Sequence, residues 1–348
     1  MKKYLILIQL ILIVTATSCF SSQPRGTHIP GKPYHHITGG FRKPPGSIEN
    51  TPVSWEGVWT MAKRVPGLFS SQDVPDDLVI SPADALKQFT GYQDRDSITW
   101  IGQLTAIIRL DRQIILIDPW FSEKVGPARR SVPPPIALNQ LPQIDIVVIS
   151  HDHADHLDIN TLEQLSHPEK VTVLVPLGVG RYFAHIKFKR VIELDWDQTE
   201  LIDGIKYTAL PAVHMSGTMF SNQWETLWAA WSIEGATGKK LFYTESDYGE
   251  CFKQIGKKYG PFNIAIMSVG AYLPRVHNAG LHCIPENCVQ ICLDIKAENL
   301  IPVHYATLEH GGAENFLESG EKFRKAALEK GIPENNIWML KIGETREF

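Results

Sequence analysis

The sequence shows no excess of charge of either sign: 34 basic residues against 38 acidic ones leave a formal charge of −4 over 348 residues. It also has no basic stripe, so nothing forms the positive face that a nucleic-acid backbone selects, and nucleic acid is excluded as a partner. Cysteine is scarce, with five residues. That is too few for a scaffold in which disulfides replace a core. With 43% hydrophobic residues the chain has the material for a sizeable core of its own. Beyond the first twenty or so residues no apolar run reaches the roughly 20 residues of a membrane span. There is no internal repeat of short period and, past the N-terminal arm, no low-complexity tract.

Export signals are present. The opening "MKKYLILIQLILIVTATSCFSSQP" sets Lys2 and Lys3 before an apolar core, then small residues ending at Cys19. A basic start, a short apolar centre and small residues at the end are the build of a secretory signal. The small residues before Cys19 resemble a bacterial lipobox, although Ala16 stands where Leu is commonest. On this reading residues 1–19 are a signal peptide with a lipobox-like end. Cys19 is lipidated, and the protein is exported as a membrane-anchored lipoprotein of the bacterial cell envelope. An ordinary cleaved signal and an uncleaved anchor are the rival readings. The remaining cysteines, Cys251, Cys283, Cys288 and Cys292, are taken as packing residues, because connectivity cannot be read from sequence.

Residues 20–80 are expected as an extended N-terminal arm. Its first half is rich in Pro, Gly and Ser and has no apolar period. His35 and His36 within it read as an exposed loop pair. Trp55 and Trp59 in "VSWEGVWTM" could touch lipid, although their spacing more often makes core contacts. The rest, residues 81–348, reads as one αβ layered domain. Ser81 followed by Pro82 opens a helix. "SITWIGQLTAIIRLDRQIILIDPWF" reads as paired strands joined by tight turns, and strands alternate with helices from "IDIVVIS" onward. Hairpins first and βα units later argue for two sheets with outer helices.

The chemistry is concentrated in "ISHDHADHLD". His151, His153, Asp155 and His156 crowd behind an apolar strand, and side chains this costly to desolvate rarely cluster there without a partner. Imidazole with carboxylate suits zinc or iron. One loop cannot complete a coordination sphere. Further ligand-type residues recur just past expected strands: His214 in "ALPAVH", Glu245 in "LFYTES" and His304 in "LIPVH". Asp118 in "IILIDP" stands where it could orient a metal-bound histidine.

This order of residues resembles the metallo-β-lactamase fold superfamily, and within it the N-acyl-phosphatidylethanolamine-hydrolysing phospholipase D family and its bacterial relatives. The likeness rests on "TWIG", "LIDPWFSE", "GPARRSVPPPIAL", "LPQIDIVVISHDHADHLD", "VPLGVGRYF", "GAYLPR", "HCIPENCVQI" and "PVHYATLEH". It implies an α/β fold, an αββα four-layer sandwich, holding two divalent metal ions. His151, His153 and His214 would surround one ion; Asp155, His156 and His304 would hold the other. The family's bridging Asp is replaced here: in "TESDYGECF" the register puts Glu245 at the bridge, with Asp247 as the alternative. Gln103 stands where the family often has His after "WIG". Asp155 would also orient a bridging hydroxide. His282 would bind or protonate a leaving group, and Tyr272, Arg275 and Gln103 would line the substrate cleft.

The expected function is a metal-dependent hydrolase, a phosphodiesterase of phospholipase D type acting on N-acyl-phosphatidylethanolamine-like phospholipid. The ions, zinc with Mn or Fe as alternatives, lower the pKa of a water. Two other readings stand beside it: a lactone or ester hydrolase of the same fold, and a non-catalytic metal-binding surface lipoprotein for which Glu245 would be a broken bridge. The oligomeric state is open, a homodimer included.

Overall fold

The structure, a computed structural model, describes residues 24, 26–49, 74–126, 128–217, 222–308, 314–315 and 317–348. The signal-like segment with Cys19, and the pair Trp55 and Trp59, lie outside the described residues. Strands β1 (His36–Ile37) and β2 (Gly40–Phe41) form a hairpin in the arm. Helix α1 (Pro82–Gly91) begins at Ser81, whose hydroxyl oxygen accepts from the Asp84 amide at 3.2 Å, with Pro82 in the first turn. Then come β3 (Ser97–Gly102), β4 (Thr105–Leu110), β5 (Gln113–Ile117), and a small hairpin of β6 (Lys124–Val125) and β7 (Ala128–Arg129). The first half ends with β8 (Ile146–Val148), α2 (Ile159–Glu163), β9 (Thr172–Pro176) and β10 (Arg190–Leu194). The second half runs β11 (Thr199–Ile202), β12 (Ile205–Leu210), β13 (Ala230–Glu234), β14 (Lys240–Thr244), α3 (Cys251–Lys258) and β15 (Phe262–Ser268). It closes with α4 (Arg275–Asn278), α5 (Pro285–Asp294), β16 (Ala297–Val303), α6 (Glu318–Glu329) and β17 (Thr345–Glu347).

Two large sheets result, one in the order β10-β9-β8-β5-β4-β3-β17 and the other β11-β12-β13-β14-β15-β16. Each half repeats one plan. The early strands pair antiparallel, β3 to β5 and β11 to β14, then β8 to β10 and β15 to β16 join in parallel, and β17 adds antiparallel to β3 at the edge of the first sheet. Period-two alternation sorts the side chains. Ile108, Ile115, Ile117 and Val148 face the core shared with Tyr207, Trp231 and Tyr243 of the other sheet. Their neighbours Ile107, Leu116 and Val147 face the opposite way, under Ala85 and Phe89 of α1 and Leu162 of α2. Indole N–H donors stitch the sheets together: Trp231 Nε1 donates to Ile149 O at 3.0 Å. The fold is the expected α/β arrangement, an αββα sandwich.

Two readings of the sequence need correction. Cys283 and Cys288 are joined as a disulfide rather than packed as thiols, with Cα atoms 5.7 Å apart, while Cys251 and Cys292 are buried and free. Cys283 lies just before α5 and Cys288 in its first turn, which brings two residues five apart within bridging reach. The second correction concerns the arm. His35 is buried rather than exposed, as are Ile37 and Phe41. The hairpin seats on the domain through Phe41 N donating to Trp224 O at 2.7 Å. Gly40 permits the approach, since a Cβ there would stand 2.0 Å from that carbonyl oxygen.

Candidate metal centre

One rim of the sandwich gathers the C-terminal ends of six strands from both sheets. Gln103 follows β3, Asp118 follows β5, Glu245 follows β14 and His304 follows β16 directly; His151 and His214 come a few residues after β8 and β12. The crevice outside the carboxyl ends of strands is where open αβ sheets bind ligands. Gln103, Asp118 and His304 all take positive φ, of 51°, 38° and 65°. Left-handed backbone at non-glycine residues costs energy and recurs at functional sites. Gly270, after β15, lets the chains meet: a Cβ there would lie 2.0 Å from His304 O.

The side-chain atoms converge in two groups. Ligand atoms of His151, His153, His214 and Glu245 lie within 4.8 Å of one another, as do those of Asp155, His156 and His304. Glu245 sits between the groups. Its Oε2 is 3.5 Å from His151 Nε2, 3.6 Å from His214 Nε2 and 2.9 Å from His156 Nε2, and its Oε1 is 2.9 Å from His304 Nε2. Asp155 Oδ2 is 3.4 Å from His156 Nε2 and 3.5 Å from His304 Nε2.

The outer hydrogen bonds fix which nitrogens face inward. Ser150 Oγ donates to Asp118 Oδ2 at 2.5 Å, so it accepts from His151 Nδ1 at 2.8 Å. His214 Nδ1 donates to Leu281 O at 2.9 Å, and His156 Nδ1 to Asp118 Oδ2 at 2.9 Å. Each of these imidazoles therefore turns its Nε2 into the centre, where the nitrogen offers a lone pair to a cation once it is free of a proton. His151 Nε2 and His214 Nε2 stand 3.2 Å apart as two acceptors, a spacing that calls for a positive charge between them. His153 Nε2 is buried with no hydrogen-bond partner among the described residues. This donor set of imidazoles and carboxylates fits a pair of divalent cations.

Charge balance agrees. Burial, and the neighbouring imidazoles after it, hold His151 well below the usual histidine value. Burial does the same at His214. At His156 burial is outweighed by Asp155 and Glu245, which raise it well above the ordinary range. At His304 burial is likewise outweighed by Glu245 and Asp155, and the group is raised to about 9. Burial at Glu245 is overcome by His304, His156 and His282, which hold it well below the usual carboxylate range. Without a cation, protons on His156 and His304 supply the compensating charge.

The other residues singled out in the sequence divide between the centre and its supports. Gln103 Nε2 donates to Asp155 Oδ2 at 2.8 Å and stands 2.9 Å from His304 Nε2. His282 Nδ1 is 3.1 Å from Glu245 Oε1. Asp118 accepts from the Ser150 amide and hydroxyl, from His156 and from Tyr243 Oη. Asp247 does not reach the two groups. Its Oδ2 accepts from Arg275 Nη2 and the Gly280 amide, both at 2.7 Å. Arg275 Nη1 also donates to His282 O, so Asp247 and Arg275 together hold the segment carrying His282. Tyr272 Oη is engaged by Glu318 and Lys322 of α6. The polar ends of Tyr272 and Arg275, expected in the substrate cleft, are thus committed to protein partners.

Several supports carry no mark in the sequence. Asp152 accepts from the Gly217 amide at 2.6 Å, Thr226 Oγ1 at 2.9 Å and Tyr182 Oη at 3.0 Å, fixing the loop between the two inward histidines. Ser268 Oγ donates to Glu245 Oε1 at 3.2 Å. Tyr243 does carry a signal: it lies two residues before Glu245 and so on the same face of the strand.

Residues 113–305 match the family model described as a β-lactamase superfamily domain. The chain belongs to that superfamily, on the metallo-β-lactamase fold, whose solved neighbours include metal-dependent hydrolases. Within it the relatives include N-acyl-phosphatidylethanolamine-hydrolyzing phospholipase D proteins. One from Caenorhabditis elegans is 32% identical over 246 residues, covering 65% of this chain and 68% of that protein. An uncharacterized protein from Mycobacterium tuberculosis is 36% identical over 229 residues, 63% of this chain. The chain spans 61% of the length of that relative. In fold, a possible metal-dependent hydrolase from Veillonella parvula superposes with a TM-score of 0.59 at 19% identity, covering 73% of this chain and all of that one.

Proposed function

We propose that the protein is a metal-dependent phosphodiesterase that hydrolyses N-acyl-phosphatidylethanolamine-like phospholipids with a phospholipase D outcome. The observation that carries the hydrolase reading is the convergence of the Nε2 atoms of His151, His156, His214 and His304 on Glu245, on a rim supplied by both sheets. The likeness to the Caenorhabditis elegans enzyme supports the choice of substrate class. His151, His153 and His214 would hold one divalent cation, Asp155, His156 and His304 the other, with Glu245 between them. Zinc suits this donor set, with Mn or Fe as alternatives. Such cations, when bound, supply Lewis-acid activation of water and of the phosphoryl oxygens.

The chain's own residues do the rest. Gln103 fixes the Asp155 carboxylate by the bond to Oδ2, leaving Asp155 placed to orient the attacking water and take its proton. Water adds at phosphorus and the bond to the N-acylethanolamine oxygen breaks. His282, whose Nδ1 is 3.1 Å from Glu245 Oε1, stands at the edge of the centre where it would give that leaving oxygen a proton. Asp247 and Arg275 hold His282 in place through its carbonyl oxygen. The products are a phosphatidic acid and an N-acylethanolamine.

The proposal extends to location: lipidation of Cys19 would put the site at the membrane that carries its substrate, and the Cys283–Cys288 disulfide suits an oxidising compartment outside the cytosol. No helix among the described residues is long and apolar enough to cross a membrane. The test is turnover of bis-p-nitrophenyl phosphate, then of N-acyl-phosphatidylethanolamine in vesicles, before and after chelation and zinc readdition. Chelator-sensitive release of N-acylethanolamine supports the reading. Cleavage of lactones or carboxylic esters alone, or metal binding without any turnover, overturns it.

A further inference from the structure

Apart from the centre at the strand rim, a second meeting of metal-ligand side chains lies at the arm. His35 Nε2 is 2.6 Å from Asp195 Oδ1 and His36 Nε2 is 2.7 Å from Asp195 Oδ2. One ligand atom from each of the three lies within 4.8 Å of the others, the same proximity as in either group of the main centre. The site is largely removed from water: the two imidazoles and the carboxylate retain 7%, 13% and 12% of their side-chain exposure.

The elements that carry the cluster are held in place by contacts of their own. The β1–β2 hairpin fixes the arm, with Arg42 N donating to His35 O at 2.9 Å and His36 paired across the strand with Phe41. The His35 ring packs on Trp196, with centroids 4.1 Å apart, and the His36 ring meets Phe41 edge-on at 5.1 Å. Asp195 lies in the crossover from β10 of the first sheet to β11 of the second. That turn is itself held by Gln198 Oε1, which accepts from the Asp195 amide at 3.0 Å. Both nitrogen donors are therefore presented to both carboxylate oxygens by elements locked from outside.

We infer that His35, His36 and Asp195 form a third divalent transition-metal site, a structural one, separate from the two-cation centre. Two imidazoles and one carboxylate suit zinc or ferrous iron and leave positions for water. Ligands about 2 Å from one tetrahedral ion stand about 3.3 Å apart, so the present contacts open by well under 1 Å on binding. The Nε2 protons that now bridge to Asp195 move to Nδ1 or leave to solvent. The ion ties residues 26–49 to the crossover between the sheets. The site's role is stability of the seated arm, and turnover at the rim does not depend on it chemically.

The test compares the full-length wild type with Asp195→Asn and His36→Ala, each dialysed against micromolar zinc, and counts zinc per chain. The site predicts that each variant holds one zinc fewer than the wild type, whatever number the rim takes. It also predicts that chelation lowers the Tm of the wild type by about 5 °C more than that of either variant, because a ligand bound only by the folded state stabilises it. Equal zinc content in all three proteins overturns the inference and leaves the cluster a hydrogen-bonded clasp. If neither variant folds, the wild type decides. On Co(II) titration the His35 and His36 ring signals broaden if the site exists, and stay sharp if it does not. Loss of diester hydrolysis with unchanged zinc difference would count against the proposed function and not against this site.

Discussion

In the first half of the chain His151, His153, Asp155 and His156 leave a single strand within six residues; in the second half His214, Glu245 and His304 leave three different strands, tens of residues apart. Both halves follow one topology of antiparallel strands followed by parallel ones, yet one delivers its ligands as a loop and the other as separate strand ends. The loop is compact because its geometry is set locally. Asp152 pins it on the outside by three accepted hydrogen bonds, while its neighbours His151 and His153 turn inward. The strand ends have no such local control. Their positions depend on sheet register and on packing between the sheets, so errors far away in sequence would displace them.

The comparison breaks most completely where the two halves touch. His151→Ala removes an inward lone pair from the loop, and kcat/KM on a diester is expected to fall about a thousand-fold or more. Glu245→Ala is expected to do the same from the other half, measured by steady-state kinetics with zinc in excess. Asp247→Ala should act differently although it lies two residues from Glu245. It strands the Arg275 guanidinium and frees the segment carrying His282, so the expected loss is about 3 kcal/mol of stability in urea unfolding. Zinc content should not change. A loss of zinc in Asp247→Ala with zinc retained in Glu245→Ala would exchange the roles of the two carboxylates, making Asp247 the metal ligand and Glu245 the support.

Gln103 joins the halves by touching Asp155 of one and His304 of the other. Gln103→Ala should weaken zinc binding by about 10- to 100-fold, the usual cost of losing a residue that orients ligands, in competition with a chromophoric chelator. Gln103→His should recover most of it.

A smaller effect is pH dependence in the metal-free protein. Despite burial, Glu245 and Asp155 raise His304 to about 9, above its ordinary 6.5. Its proton thus stabilises the fold fully below about pH 6.5. That contribution is lost as the pH rises through 9. The urea midpoint of chelated protein should fall between these values, and zinc should remove the His304 part of the slope by taking the proton's place. The smallest effect is expected at Tyr272→Phe. It removes the hydroxyl shared with Glu318 and Lys322 at about 0.5–1 kcal/mol, with kcat within twofold.

Legibility in the sequence follows the same division. The loop is readable because its ligand residues are dense and sit behind an apolar strand. His214, Glu245 and His304 are readable only as single residues at strand ends, made meaningful by the loop and by the family likeness. Sequence does not show which carboxylate of "TESD" faces inward. Alternation leaves Glu245 and Asp247 on one side, and the Gly280 amide and Arg275 draw Asp247 away. The arm misleads for a related reason. Its Pro- and Gly-rich composition gives no period, and Asp195, the partner of His35 and His36, lies far along the chain. The Cys283–Cys288 pairing likewise depends on the turn into α5.

The most direct test of the central claim is anomalous diffraction at the zinc edge from crystals of the full-length protein. The account predicts two peaks at the strand rim about 3.5–4 Å apart, one beside His151, His153 and His214 and the other beside Asp155, His156 and His304, with Glu245 between them. A single peak there, or a second peak coordinated by Asp247 with Glu245 turned away, would contradict it.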